Sequence, residues 1–290
     1  MAVYEHTYKL YAGTLTPEWS RFLIIPRHAF RDVFASKIFI GFFALCFVCP
    51  LVMAILIYLH YNVNALLIME LKVSDLVSIN GDFFLVFLRV QSSLGFLLTV
   101  LIGPPLVSRD MSNNALPLYL CRPFSRAEYM IGKMSVLVVL LSAITWVPGL
   151  LLFIFQSYLE GAGWLAHNIW IAGAMVVASM LWIVVLSLLS MTLSAWLKWR
   201  IAASAGLFAV FMIPSVIGAL ISLIFQTRWG NIISLGSLLE SINETLFRSR
   251  FTGNSGLLPP ALAAWIALGL FCALCLLLLS RRVRAYEVVR

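Results

Sequence analysis

Six stretches of this chain are dominated by apolar residues: Ile38 to Leu59, Phe83 to Val107, Met134 to Gln156, Ile169 to Leu197, Ile201 to Gln226 and Pro259 to Ser280. Each reaches the roughly 20 residues that an α-helix needs to cross a hydrocarbon core about 30 Å thick. A helix satisfies its own backbone polar groups, so the pattern predicts six transmembrane helices. Two shorter segments have an amphipathic period instead. From Pro26 to Ser36, Ala29, Phe30, Val33 and Phe34 recur at helical spacing while Arg27 and Arg31 occupy another face. That pattern predicts an elbow helix in the membrane plane, with Pro26 in its first turn. Within 227–258, Ile232, Leu235, Leu238, Leu239, Ile242 and Leu246 line one helical face, and Glu240, Asn243 and Glu244 another. This segment is expected at, or dipping into, the outer interface.

The chain is therefore expected to be an all-α integral membrane protein. A cytoplasmic arm and elbow helix would span 1–37, a six-helix transmembrane domain 38–280, and a basic cytoplasmic tail 281–290. Composition strengthens the case, because 62% of residues are hydrophobic and only 11% charged, against about a quarter charged in a soluble domain. A water-soluble enzyme is excluded. The first apolar stretch follows some 37 mostly polar or amphipathic residues and no A-x-A-like site follows Leu59, so it is expected to be retained as a span rather than cleaved.

The net charge of +8 would suggest nucleic acid in a soluble protein, but here the distribution of Lys and Arg gives it a different meaning. Lys9, Arg21, Arg27, Arg31, Lys37, Arg109, Arg122, Arg126, Lys133, Lys198, Arg200, Arg281, Arg282, Arg284 and Arg290 fall on one side of a six-span topology. Only Lys72, Arg228, Arg248 and Arg250 fall on the other. A bias of fifteen to four places both termini inside and leaves no basic excess for a nucleic-acid partner. The expected partners begin with the lipid bilayer.

The inner segment from Ser108 to Lys133 is polar at its ends and apolar in its middle. Ser125-Arg126-Ala127-Glu128 has the spacing of a capping box, so the third span is expected to start there, with Pro123 stopping any helix before it. Ser112, Asn113 and Asn114 can cap a short turn into Leu116, Leu118, Tyr119 and Leu120, limited by Pro117. Buriable Leu and Tyr flanked by Arg109, Asp110, Arg122 and Arg126 fit a soluble partner's cleft or the underside of the chain's own bundle.

Within the second span, Arg89, Ser92, Ser93 and Thr99, with Phe96 among them, form a polar stripe that either faces a pathway or lets Arg89 reach the interface. Pro50, Pro148 and Pro214 each free a backbone carbonyl inside a span. The Cys46-x-x-Cys49 and Cys272-x-x-Cys275 pairs read as small buried hydrophobes, not a metal or redox centre. The chain lacks G-x-x-x-x-G-K-[ST] and H-E-x-x-H, so neither catalytic nor metal-binding residues are expected, and any ATP hydrolysis would belong to another chain.

Arg109-Asp110 closing the second span, Leu116 to Leu120, Arg122-Pro123, Ser125-Arg126, Tyr129 and Gly132-Lys133 together resemble the permease subunits of the type 2 ABC exporters. The resemblance implies a multi-pass protein of a bacterial inner membrane, paired with a second permease copy or a paralogue. It implies a separate cytoplasmic ABC ATPase that holds ATP and Mg, this chain holding no cofactor. The coupling element would be the segment 108–133, with Arg109, Asp110, Asn113, Leu116, Tyr119, Arg122, Pro123, Ser125, Arg126, Glu128, Gly132 and Lys133. Asp110 stands where the family has Glu, and Pro117 interrupts a usually helical turn. The implied substrate is amphipathic or hydrophobic. A non-transporting subunit that moves a periplasmic partner through 227–258 is the alternative. A secondary transporter is disfavoured, since the spans hold no clear Asp or Glu for ion coupling.

Overall fold

The structure, a computed structural model, describes residues 23–62, 78–112, 126–197, 199–249 and 258–282. Its elements are α1 (Ile24–Phe34), α2 (Lys37–Leu45), α3 (Val48–Tyr61), α4 (Gly81–Ser112), α5 (Arg126–Ile144), α6 (Trp146–Glu160), α7 (Ala162–Trp196), α8 (Arg200–Phe225), a 3-10 turn (Arg228–Ile233), α9 (Leu235–Leu246) and α10 (Ala261–Arg282). No strand occurs among the described residues. Six helical segments are long and apolar enough to cross a membrane: Lys37–Tyr61, Gly81–Leu106, Ala127–Glu160, Ala162–Trp196, Arg200–Phe225 and Ala261–Arg281. The chain is a multi-pass membrane protein.

Helix α7 is the centre of the bundle and packs against α4, α5, α6, α8, α9 and α10, most extensively α4. Small residues let the backbones close in, as expected where helices associate without a hydrophobic driving force. Ala174, Ala178, Ser187, Ser190 and Ser194 of α7 are all buried. Gly103 of α4 crosses at Ser190, where an added Cβ would lie 1.9 Å from the Ser190 hydroxyl oxygen. The span made by α2 and α3, together with α8 and α10, is least buried and leaves large apolar side chains such as Leu51, Ile217, Leu223 and Leu262 on the outside.

Two expected spans are broken. The first parts at Cys46 and Phe47, between α2 and α3, and the third at Thr145, between α5 and α6. Each break lies three to four residues before a proline, Pro50 and Pro148, where the missing N–H leaves the carbonyl four residues back without its partner. At the first break a neighbour supplies the donor. Gln91 of α4, fully buried, donates from Nε2 to the Cys46 carbonyl at 2.8 Å. The same solution appears within α4, where Pro104 orphans the Val100 carbonyl and the Ser204 hydroxyl of α8 donates to it at 3.2 Å. The Ser194 hydroxyl enters the next step of that ladder, donating to the Pro104 carbonyl at 2.6 Å and accepting the Ser108 N–H at 2.9 Å.

The twelve-residue outer loop expected between Gln156 and Ile169 is absent. α6 runs on to Glu160, α7 starts at Ala162, and the reversal is made at Gly161, whose φ of 103° suits a residue without a Cβ. Apolarity ends where the lipid would end, but a helix continues until the backbone is stopped. α4 likewise reaches Ser112, beyond the expected Val107.

After α8 the chain doubles back. Gln226 adopts a left-handed conformation, and the 3-10 turn then runs back down α8. Gly230 meets Gly218 so closely that a Cβ on Gly218 would lie 2.9 Å from the Gly230 carbonyl oxygen. The Ser234 and Ser215 hydroxyls are 2.8 Å apart. Ser215 lies ten residues before Phe225, about 15 Å along the helix axis, so the chain has descended deep along α8 before α9 begins. Ser234 caps α9 by accepting the Ser237 N–H, and Leu235, Leu238, Leu239 and Ile242 join the main core.

Candidate functional site

The stems of the expected coupling segment meet at Asp110, near the end of α4. Its Oδ2 accepts a hydrogen bond from the Tyr129 hydroxyl at 2.7 Å and an ion pair from Lys133 Nζ at 2.9 Å. Tyr129 and Lys133 are four residues apart, so both project from one face of α5. Tyr129 is completely buried, and Lys133 Nζ stands 6.0 Å from its ring centre. Three groups thus fix the ends of two helices as one unit, and charge-assisted bonds of this kind are worth about 1.5–3 kcal/mol each.

Of the expected coupling residues, Arg109 lies in α4 and Arg126, Glu128, Gly132 and Lys133 in α5. Gly132 is buried and its carbonyl accepts the Ser135 hydroxyl at 2.9 Å. Asn113, Leu116, Tyr119, Arg122, Pro123 and Ser125 lie outside the described residues, and with Ser125 the expected capping box. Beside the clamp, a cavity of about 160 Å³ is lined by α1, α2, α4, α5 and the start of α8. Asp32, Asp110, Lys133 and Arg200 supply its polar wall, and Phe39, Ile102 and Leu106 are among its apolar lining. α1 contributes through Ala29 and Val33 and packs on α5. Its Arg27, Arg31 and Phe34 are exposed and Phe30 is half-buried.

Toward the opposite end of the bundle a second cavity, of about 440 Å³, opens between α4, α7, α8 and α9. Arg89, Ser92, Ser93 and Phe96 all line it, at i, i+3, i+4 and i+7 of α4. Thr99 does not. At 100° per residue it falls about 80° off the line through Arg89, and it is buried with its hydroxyl returned to the Gly95 carbonyl at 2.8 Å. Phe208 and Phe211 of α8 and Trp182 of α7 complete an aromatic wall.

Arg89 is turned toward α9. It forms an ion pair with Glu240 of α9, and Glu244, one turn on, lies 3.8 Å from the same nitrogen. Both acids stand on the polar face that periodicity gives the outer helix, but periodicity names no partner for them. Gln91 does not stand out by pattern either, although a carboxamide in an apolar run two residues from Arg89 is itself a sign of an internal polar contact. A third polar group at the end of the first span was likewise unforeseen: the Tyr61 hydroxyl donates to Glu160 Oε2 at 2.6 Å, and Gln156 Nε2 reaches both. The described cysteines are free thiols. In comparison with known proteins, no family model matches the chain and no curated protein is significantly similar to it.

Proposed function

We propose that the chain is the permease subunit of an ATP-driven exporter, with both termini and the segment between α4 and α5 in the cytoplasm. A separate ATPase would press on that segment, and a second permease copy or a paralogue would complete the pathway. α1 would lie in the inner interface as an elbow, in what is read as a bacterial inner membrane.

The observation that carries this reading is the Asp110 clamp, because it ties both stems of the segment to each other through Tyr129 and Lys133. A push on such a segment moves α4 and α5 together instead of dissipating in one helix end. α4 in turn holds α7 through Gly103 and Ser194 and holds α9 through Arg89. One rigid route therefore joins the proposed ATPase side to the second cavity. The residue pattern of 108–133 supports the same reading.

The test is to purify the tagged full-length chain from its native membrane in mild detergent. An ATPase subunit should accompany it, and its ATP hydrolysis should rise with substrate. Asp110→Asn should keep the ATPase bound and lower coupled hydrolysis about tenfold, the equivalent of one charge-assisted bond. Transport by the isolated chain on an ion gradient, with no ATPase in the complex, would overturn the reading.

A further inference from the structure

The second cavity combines an aromatic wall with the Arg89–Glu240 ion pair, and a further carboxylate, Glu244, lies beside that pair outside the lining. Phe96 and Phe208 stand with ring centres 5.2 Å apart at 88°, Phe96 and Phe211 5.0 Å apart at 65°, and Trp182 and Phe211 5.7 Å apart at 68°. Steeply inclined rings on adjoining walls are the arrangement by which proteins surround an organic cation, because each ring carries a negative face. Charge points the same way. Arg89 is engaged by Glu240 and faces Glu244 at 3.8 Å, so these three residues carry one net negative charge. Glu244 Oε1 is buried and has no hydrogen-bond partner. Besides Arg89 and Glu240, the polar lining is Ser92, Ser93 and Asn243, all uncharged. A volume of about 440 Å³ suits a small drug-sized molecule.

We infer that this cavity binds a hydrophobic organic cation, its charge held by the Phe96, Phe208, Phe211 and Trp182 rings and by the acid excess around Arg89. An anion would meet a guanidinium already paired with carboxylate and would be repelled by Glu244. A neutral apolar ligand would gain from the rings but not from the charge. The inference names the substrate class of the exporter proposed above and rests on that reading only for the direction in which the ligand moves.

The experiment uses the purified full-length chain in phosphatidylcholine nanodiscs with no ATPase present. Equilibrium binding of tetraphenylphosphonium is compared with that of tetraphenylborate, which has the same shape and the opposite charge. Specific binding is taken as the difference from empty nanodiscs. Tetraphenylphosphonium should bind saturably and tetraphenylborate should not. Phe96→Ala with Phe211→Ala should weaken cation binding about tenfold or more. Glu240→Gln, which keeps the side-chain shape and removes the net charge of the group, should weaken it by a similar factor while the elution profile in size-exclusion chromatography stays unchanged. Equal binding of both probes, or cation binding that neither variant alters, would overturn the inference. Binding without a copurifying ATPase would leave the ligand class standing and remove the exporter reading. An ATPase complex that binds neither probe would do the reverse.

Discussion

Because Pro50 offers no N–H, the carbonyl of Cys46 would stand unpaired inside the first span if Gln91 did not donate to it. That dependence can be tested on two residues. Gln91→Leu should lower stability by about 1–3 kcal/mol, the cost of leaving a buried acceptor unmade. Pro50→Ala added to Gln91→Leu should recover much of the loss, since an alanine there restores an N–H four residues beyond Cys46. Thermal unfolding in one detergent, followed by tryptophan fluorescence, compares the variants. A double variant no more stable than Gln91→Leu would mean that Gln91 serves some other purpose. The Asp110 clamp makes a parallel case. Asp110→Ala should cost about 3–5 kcal/mol by stranding the Lys133 ammonium in a largely buried place, and Lys133→Met on that background should return part of it. Pro50, Asp110 and Lys133 could all be singled out along the chain. The pairings could not, because Gln91 meets the first span and Tyr129 meets Asp110 only through helix packing.

At the level of elements, periodicity located α1 and α9 and hydropathy located the spans, but neither locates where a helix turns. The α6–α7 hairpin shows why. Ser157 to Asn168 looks like a loop by polarity, yet only Gly161 departs from helical geometry, and its neighbour Gly163, inside α7, carries the same sequence signal without making a turn. For α9, the apolar face was legible, whereas its depth depends on a contact between two glycines and one serine pair. Gly218→Val should therefore dislodge the descending leg. Overpacking of this kind costs about 1–3 kcal/mol, enough to raise the open population about tenfold. The readout is a cysteine introduced by Ser234→Cys in a cysteine-free background. Ser234 is fully buried, so this cysteine should react slowly with a small thiol reagent in the parent and about ten times faster with Gly218→Val. Unchanged reactivity would show that the close approach of Gly218 and Gly230 does not hold α9 in place. The same displacement should part Glu240 from Arg89, since both acids ride on α9.

Across the whole molecule, α7 and α4 form a buried axis and the lipid-facing spans surround it, an arrangement with no preferred direction of its own. Direction comes from charge. Fifteen Lys and Arg against four predict that the end bearing Asp110, Lys133 and Arg200 faces the cytoplasm. Tyr158, near the tip of the α6–α7 hairpin, and Trp199, just before α8, are 83% and 79% exposed and belong to opposite ends of the bundle. Single cysteines introduced by Tyr158→Cys and Trp199→Cys into a cysteine-free chain should therefore separate under a membrane-impermeant maleimide. On intact cells the first should label and the second should not, and permeabilisation should make the second reactive. The reverse pattern would put the Asp110 clamp outside, where no ATP-bound subunit could reach the segment it braces. The exporter reading would then fall, while the Gln91 and Asp110 energetics, which depend only on packing, would be untouched.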